Sequence, residues 1–476
     1  MIHQYKNNGY NIVMDTESGS IHVVDDLVYD MTASLDSYSK THPVRIVDED
    51  DAIKALPFED IKDHLENSLP SYSTESIAEA YEEVAWLIED ESLFTDDLYS
   101  EDTVALLKKD TVVKALCLHV AHDCNLACRY CFAGEGEYHG ERSLMSFETG
   151  KKALDFLVAG SGGRRNLEVD FFGGEPLMNF EVVKKLVEYG RSIEKTHDKR
   201  FRFTLTTNGM LLDEDILEFA NREMSNLVLS IDGRKAVHDR MRPRRGGQGS
   251  YDEIVPKFIK AAESRDQMNY YVRGTYTHEN LDFAEDVRHL ADLGFKQISV
   301  EPVVAPLTQS YAIQEDDVPV LLEQYDILAK YMLDKKRAGE GFNFFHFMID
   351  LAGGPCAQKR LSGCGSGSEY LAVAPNGDLY PCHQFVGLDD FLMGNVDTGV
   401  TNTSLRDRFK DCNVLSKDEC RQCFARYYCS GGCAANAYNF TGDINGVYDI
   451  GCRLQRKRTE CAIMLKAAES ADNNKH

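Results

Sequence analysis

Cysteine is missing from the first 116 residues of this 476-residue chain, appears four times between Cys117 and Cys131, then ten times between Cys356 and Cys461. The opening Met-Ile-His-Gln-Tyr-Lys has neither the basic stretch nor the apolar run of a secretory signal, so a cytoplasmic location is expected. Disulfides do not persist there, and clustered thiols are more often metal ligands or catalytic groups. Two separate thiol groups therefore predict two regions whose order depends on bound metal.

Patterning divides the chain into three parts, 1–108, 109–345 and 346–476. In the first, Asn11-Ile-Val-Met and Ile21-His-Val-Val flank Thr16–Ser20 as a hairpin with Gly19 in its turn. Asp25 or Asp26 is placed to cap a helix through Leu27, Val28 and Met31. From Thr74 to Leu93 the residues Ile77, Ala80, Tyr81, Val84, Leu87 and Ile88 keep helical spacing. This is a small α+β unit compatible with a winged helix. Residues 1–110 hold 26 acids against 7 Lys and Arg, most of the net charge of −26. Such a surface repels phosphates, so a peptide, not nucleic acid, is the expected partner. A merely solvated acidic face is the plainer alternative. No apolar run is long enough for a membrane span.

The second part alternates short apolar strands (Leu116–Val120, Leu167–Phe172, Phe201–Leu205, Leu227–Ser230, Tyr271–Tyr276, Gln297–Val300) with helical stretches such as Phe180–Tyr189 and Asp213–Asn221. Repeated strand–helix units predict an α/β fold with a parallel sheet, open or closed into a barrel. Polar or glycine-rich residues follow several strands, as in Gly173-Gly-Glu-Pro and Thr206-Thr-Asn-Gly, and should meet at one rim. Beyond about residue 350, glycine and cysteine loops replace periodicity, and Glu469–His476 reads as a frayed tail.

Cys124, Cys128 and Cys131 follow the first of these strands with the spacing C-x3-C-x2-C. Three thiolates can hold three irons of a [4Fe–4S] cube and leave the fourth open. The alternative is zinc, which needs a fourth ligand such as His119, His122 or His139. With Phe132 beside the last cysteine, the motif resembles that of the radical S-adenosylmethionine superfamily. The resemblance implies a partial (β/α)6 TIM-like barrel whose open iron takes the amino and carboxylate groups of S-adenosylmethionine and cleaves it to a 5′-deoxyadenosyl radical. It also implies a cofactor-binding set of Phe132, Gly173, Gly174, Glu175, Asn208, Ser230 and Arg273. Gly173-Gly-Glu175 would contact the methionine amino group, and Arg273 its carboxylate, with a structural ion pair as the alternative for Arg273. Glu301 has no assigned role.

The later cysteines include a G-x4-C element ending at Cys382 and the series Cys420-x2-Cys423-x5-Cys429-x3-Cys433, closed by Cys452. This resembles the SPASM domain, a loop-rich auxiliary-cluster module. A zinc ribbon is the alternative. The resemblance implies an outer [4Fe–4S] cluster on Cys420, Cys423, Cys429 and Cys452, and an inner one on Cys364, Cys382 and Cys433. Cys356 is either the fourth inner ligand or absent from it, leaving an iron open to a substrate thiol. Three clusters would result. Cys117, Cys412 and Cys461 fit no pattern and are expected to be buried apolar cysteines. In the sulfatase-maturing branch an aspartate base follows the G-x4-C cysteine; here His383 stands there, either a proton acceptor or a packing residue.

Asn8-Gly-Tyr-Asn-Ile-Val, Gly19-Ser-Ile-His-Val-Val-Asp, the run from Cys131 to Gly140 and the segment Gly354 to Val386 resemble the SCIFF (ranthipeptide) maturases, over essentially the whole chain. That resemblance implies a leader-recognition domain, a ribosomal precursor peptide as substrate, a flavodoxin or ferredoxin as electron donor, and a thioether from a cysteine sulfur to an unactivated carbon. Sulfatase-type oxidation, epimerisation and a non-enzymatic zinc-binding peptide-interaction protein are the competing expectations.

Overall fold

The computed structural model describes residues 1–97, 112–138, 140–351 and 357–473. The chain opens on an antiparallel sheet in the order β1 (Ile2–Asn7), β2 (Tyr10–Asp15), β3 (Ile21–Val24). Its second hairpin is the expected one, with Met14 opposite Ile21 and Gly19 at φ +75°. The first hairpin was not foreseen. Asn8 and Gly9 both adopt positive φ, 46° and 85°, as the turn that best matches strand twist requires.

Helix α1 (Asp26–Ser39) is capped by Asp25, whose side chain accepts from the Val28 N–H. The short β4 (Arg45–Val47) and β5 (Ile53–Ala55) pair before α2 (Phe58–Ser68), and α3 (Thr74–Glu89) starts at an N-cap serine, Ser73. Alternation along β2 decides which way the sheet is covered. Val13 enters a core with Met31, Leu35, Ile77 and Val84, while Ile12 and Met14 on the opposite face join the main core of the molecule.

That main core surrounds a parallel sheet: β6 (Ala115–His122), β8 (Asn166–Gly173), β9 (Arg200–Thr207), β10 (Met224–Ser230), β11 (Tyr270–Tyr276) and β12 (Gln297–Pro302), neighbours in that order. The predicted strands all form. Crossover helices include α4 (Phe147–Gly160), α5 (Phe180–His197) and α6 (Glu214–Glu223), the last two where the periodicity placed them. Leu116, Leu118 and Val120 on one face and Cys117, His119 and Ala121 on the other are all buried, as a strand covered on both faces demands. The barrel stays open. One edge ends in β13 (Asn343–Phe344), β7 (Ser143–Leu144) pairs antiparallel with the end of β6, and the other edge of β6 continues into a further strand, β14 (Tyr370–Val373).

Two features beyond residue 350 differ from expectation. Rather than loops alone, β14 (Tyr370–Val373) pairs parallel with β6, and β15 (Asp378–Tyr380) extends the same sheet. Strands of four and three residues between glycine turns are too short to show a period. The chain then ends in a helix, Asp449–Asn473, lying on β1 and on Val318–Arg337. Glu469 pairs with Lys336 and Asp472 with Arg337, so the stretch through Asn473 is helical, not frayed; 474–476 lie outside the described residues. Among the described residues no helix is long and apolar enough to cross a membrane.

Candidate active site

Where β6 ends, the chain turns into the loop carrying Cys124, Cys128 and Cys131. Backbone bonds hold this loop against the segment after β10: Ala127 N–H donates to the Pro243 carbonyl and Arg129 N–H to that of Met241, both at 2.9 Å. Arg245 reaches across to the Cys124 carbonyl at 2.8 Å and to Asp123 at 2.9 Å. Beneath the loop, the Tyr130 hydroxyl donates to the fully buried Asp232 carboxylate at 2.7 Å, which also accepts from Arg242 Nε at 3.0 Å. These groups were not singled out from the sequence. Only the aspartate at the end of a strand, in Ile231-Asp-Gly, offered a signal.

Gly173 and Gly174 are required by backbone crowding. A Cβ on either would lie 2.2 Å from a carbonyl oxygen, of Ala121 and Asp123 respectively, and Gly173 has φ +124°. The glycines thus let the end of β8 press on the end of β6, rather than simply opening room for a ligand. Glu175 is fully buried and accepts from Leu177 N–H at 3.0 Å, Thr207 Oγ1 at 2.8 Å and Asn208 N–H at 2.8 Å. Burial pushes its pKa up to about 7, partly offset by those donors. Its carboxylate therefore ties the end of β8 to the end of β9.

One cavity collects the dispersed motifs. It is lined by Cys124, Cys128 and Cys131, by the whole expected set Phe132, Gly173, Gly174, Glu175, Asn208, Ser230 and Arg273, and by His383. Gln384 and Asn436, which the sequence did not flag, line it as well. Arg273 donates to Glu301 at 2.9 Å, giving that carboxylate a role as its brace. His383 is half-buried, with its ring against Phe132 and Phe172 and its Nδ1 3.4 Å from the Tyr370 hydroxyl; desolvation pushes its pKa down to about 4.

The later thiols fall into two sets. Cys382 is raised by burial first, then by Cys433 and Cys364; Cys452 by burial, then by Cys429, Cys420 and Cys423. Cys433 leaves its sequence neighbours because Ser430, Gly431 and Gly432 are successively left-handed (φ 60°, 83° and 77°), reversing the chain after Cys429. Cys356 and His139 lie outside the described residues. Cys117 and Cys461 are buried, and half-buried Cys412 donates to the Ile444 carbonyl at 3.3 Å.

Residues 118–290 match the model of the Radical SAM superfamily, and residues 364–424 that of SPASM, an iron–sulfur cluster-binding domain. The chain carries a radical SAM domain and a SPASM domain. A cysteine-type anaerobic sulfatase-maturating enzyme of Clostridium novyi is 24% identical over 66% of this chain and 86% of its own length. Among solved structures, anSMEcpe with bound AdoMet superposes with TM-score 0.64 at 20% identity, covering 76% of this chain and 96% of that one. Streptococcus suis SuiB bound to precursor peptide SuiA superposes with TM-score 0.51 at 16% identity, covering 94% and 97%. The likenesses to the solved structures establish the fold.

A radical SAM domain joined to SPASM implies S-adenosylmethionine and [4Fe–4S] clusters as cofactors. The donor chemistry fits. Beside Cys124, the Leu126 N–H at 3.5 Å and Asn208 Nδ2 at 3.6 Å point at the sulfur, as a metal-bound thiolate accepts. Burial drives the Cys124 and Cys128 thiols up to about 12, a cost that a cationic iron cluster relieves.

Proposed function

We propose that the protein modifies a ribosomal precursor peptide, joining a cysteine sulfur to an unactivated carbon of another residue as an intramolecular thioether. The observation that carries this is the placement, in one molecule, of a strand edge at β3 left unpaired among the described residues and a cavity lined by Cys124, Cys128 and Cys131 and by His383 and Gln384, which follow Cys382. An extended leader adding to β3 gains main-chain hydrogen bonds with little demand on sequence. Tethered there, its core segment is held at high effective concentration for the cavity. The likeness to SuiB, a protein seen bound to precursor peptide SuiA, supports a precursor peptide as substrate.

In this reading Cys124, Cys128 and Cys131 hold the S-adenosylmethionine-binding cluster, Cys420, Cys423, Cys429 and Cys452 the outer auxiliary one, and Cys364, Cys382 and Cys433 the inner one. When bound, these groups supply the carbon radical that removes one hydrogen atom, a metal site for the thiol, and an acceptor for the electron released as the carbon–sulfur bond closes. The chain's own part is positional. Arg273, fixed by Glu301, offers a guanidinium to the methionine carboxylate, while Asn208 and Ser230 face the remaining polar groups. Phe132, Phe172 and His383 form an aromatic wall. His383 replaces the aspartate expected of a sulfatase-maturing enzyme, and its ring is already engaged by Tyr370, which favours thioether formation over sulfatase-type oxidation. A flavodoxin or ferredoxin would deliver the reducing electron.

Anaerobic turnover of a precursor peptide with S-adenosylmethionine and reductant tests this. The product should be lighter by two hydrogens, with one thiol no longer alkylated. Formylglycine, or an inverted stereocentre at unchanged mass, overturns it.

A further inference from the structure

The unpaired edge of β3 borders a groove, and the wall facing it is chemically one-sided. The groove has a volume of about 980 Å³ and runs between Ile21–Val28 and the outer face of α3. Asp15 N–H donates to the Ser20 carbonyl at 3.0 Å. Alternation from that pair puts His22 and Val24 in the β2 ladder and leaves the N–H and C=O of Ile21 and Val23 facing outward. Opposite them α3 presents Glu79, Glu82 and Glu83, all exposed. Among the described residues none of the three has an ion-pair partner. Trp86, 64% exposed, supplies apolar surface on the α3 side, and Val23, 48% exposed, supplies it on the opposite face of the sheet.

We propose that this groove selects a basic leader: an extended peptide pairing with β3 whose alternate Lys or Arg side chains meet Glu79, Glu82 and Glu83 and lay their aliphatic stems on Trp86, while the intervening apolar residues cover Val23. The inference rests on the reading of β3 as the leader-binding edge, and adds the chemistry of the ligand. Spacing supports it. Residues four apart on a helix are about 6 Å apart along its axis, close to the roughly 6.8 Å between alternate residues of a strand. Glu79 and Glu83 therefore meet side chains i and i+2 of a single strand, those on one face. The other side chains of such a strand point toward a second trough, lined by Ser18–Ile21, Val23 and the end of the C-terminal helix with Lys466. No carboxylate lines that trough, so the basic requirement falls on one alternating set only. The three carboxylates, unpaired among the described residues, give the α3 face a negative charge that a cationic strand neutralises.

The test uses the intact cluster-loaded protein and isothermal titration with ten-residue peptides under anaerobic conditions. Four probes are needed: alternating Lys and Val, alternating Glu and Val, five Lys followed by five Val, and the alternating Lys–Val peptide with alternate amides N-methylated. The alternating Lys–Val peptide should bind at least tenfold tighter than the Glu–Val and block peptides, more weakly as salt rises. Glu79→Gln, Glu82→Gln and Glu83→Gln together should abolish that preference, and the corresponding Glu→Lys changes should transfer it to the Glu–Val peptide. Equal binding of Lys–Val and Glu–Val peptides, or a preference that survives the Gln changes, overturns the proposal. If N-methylation costs nothing, the strand-edge reading itself fails; if it weakens the Lys–Val peptide while the unmethylated Lys–Val and Glu–Val peptides bind alike, the edge stands and charge selection falls.

Discussion

Glu17, in the β2–β3 turn, forms a buried ion pair with Arg426, whose Nη2 lies 2.7 and 2.6 Å from its two carboxylate oxygens. Arg426 sits between Cys423 and Cys429, so the turn leading into the proposed leader-binding strand rests on the outer thiol loop. A second contact beside it, the His3 ring stacked on Phe424 at 3.5 Å, ties β1 to the same loop.

Both charges of that pair are out of water, and losing Glu17 leaves Arg426 only the longer contact to Asp97 at 3.4 Å. Glu17→Gln should destabilise the cluster-loaded protein by about 3 kcal/mol. Hydrogen exchange should rise first in β1–β3 and around Cys420–Cys429, with the barrel unaffected. Exchange confined to the N-terminal sheet would show that the pair does not couple the two regions.

The Tyr130–Asp232–Arg242 group supports the first cysteine loop from below. Asp232→Asn leaves the Arg242 guanidinium buried without its anion and should cost about 3–5 kcal/mol in denaturant midpoint analysis. Tyr130→Phe removes one hydrogen bond to a charged group, about 1.5–3 kcal/mol, and should retain its full iron content.

Gly173→Ala should fail through backbone geometry alone. The new methyl would meet the Ala121 carbonyl at 2.2 Å in a left-handed conformation. A loss of at least about 3 kcal/mol is expected, since the end of β8 must shift. A variant that melts within a degree or two of the parent would contradict this crowding.

Replacing Cys124, Cys128 and Cys131 together by alanine should remove about one third of the iron and sulfide, as expected for one cube among three. Formation of 5′-deoxyadenosine should stop while the remaining visible absorbance persists. Zinc in place of iron in the anaerobically purified parent would refute the cluster assignment.

His238 is a buried acid-side weak point. Its Nε2 is 2.9 Å from Ser250 Oγ, and burial pushes its pKa down to about 4 from 6.5. A folded value below the unfolded one means its stabilising contribution is complete above about pH 6.5 and is lost as pH falls toward 4, by up to about 3 kcal/mol. Stability of the His238→Gln variant, followed by urea denaturation between pH 7 and 5, should show a shallower dependence.

Much of the site was legible because its chemistry is local. Three cysteines at C-x3-C-x2-C carry their own meaning, and strands covered by helices announce themselves as apolar runs that end in polar turns. The Asn8-Gly9 turn was equally local and was overlooked. By contrast Asp232, Arg242 and Asn436 matter through neighbours far away in sequence, and no spacing rule connects them.

The sequence by itself determined which residue types could hold metal, where the parallel strands run, and that the first hundred residues are strongly acidic. Tertiary structure decided the rest: that Gly173 and Glu175 brace strand ends, that Arg273 is already held by Glu301, and that β14 continues the barrel's sheet. It also set the β2–β3 turn against the outer thiol loop through Glu17 and Arg426. Periodicity records which face of an element is buried, but not what buries it; that depends on packing between segments hundreds of residues apart.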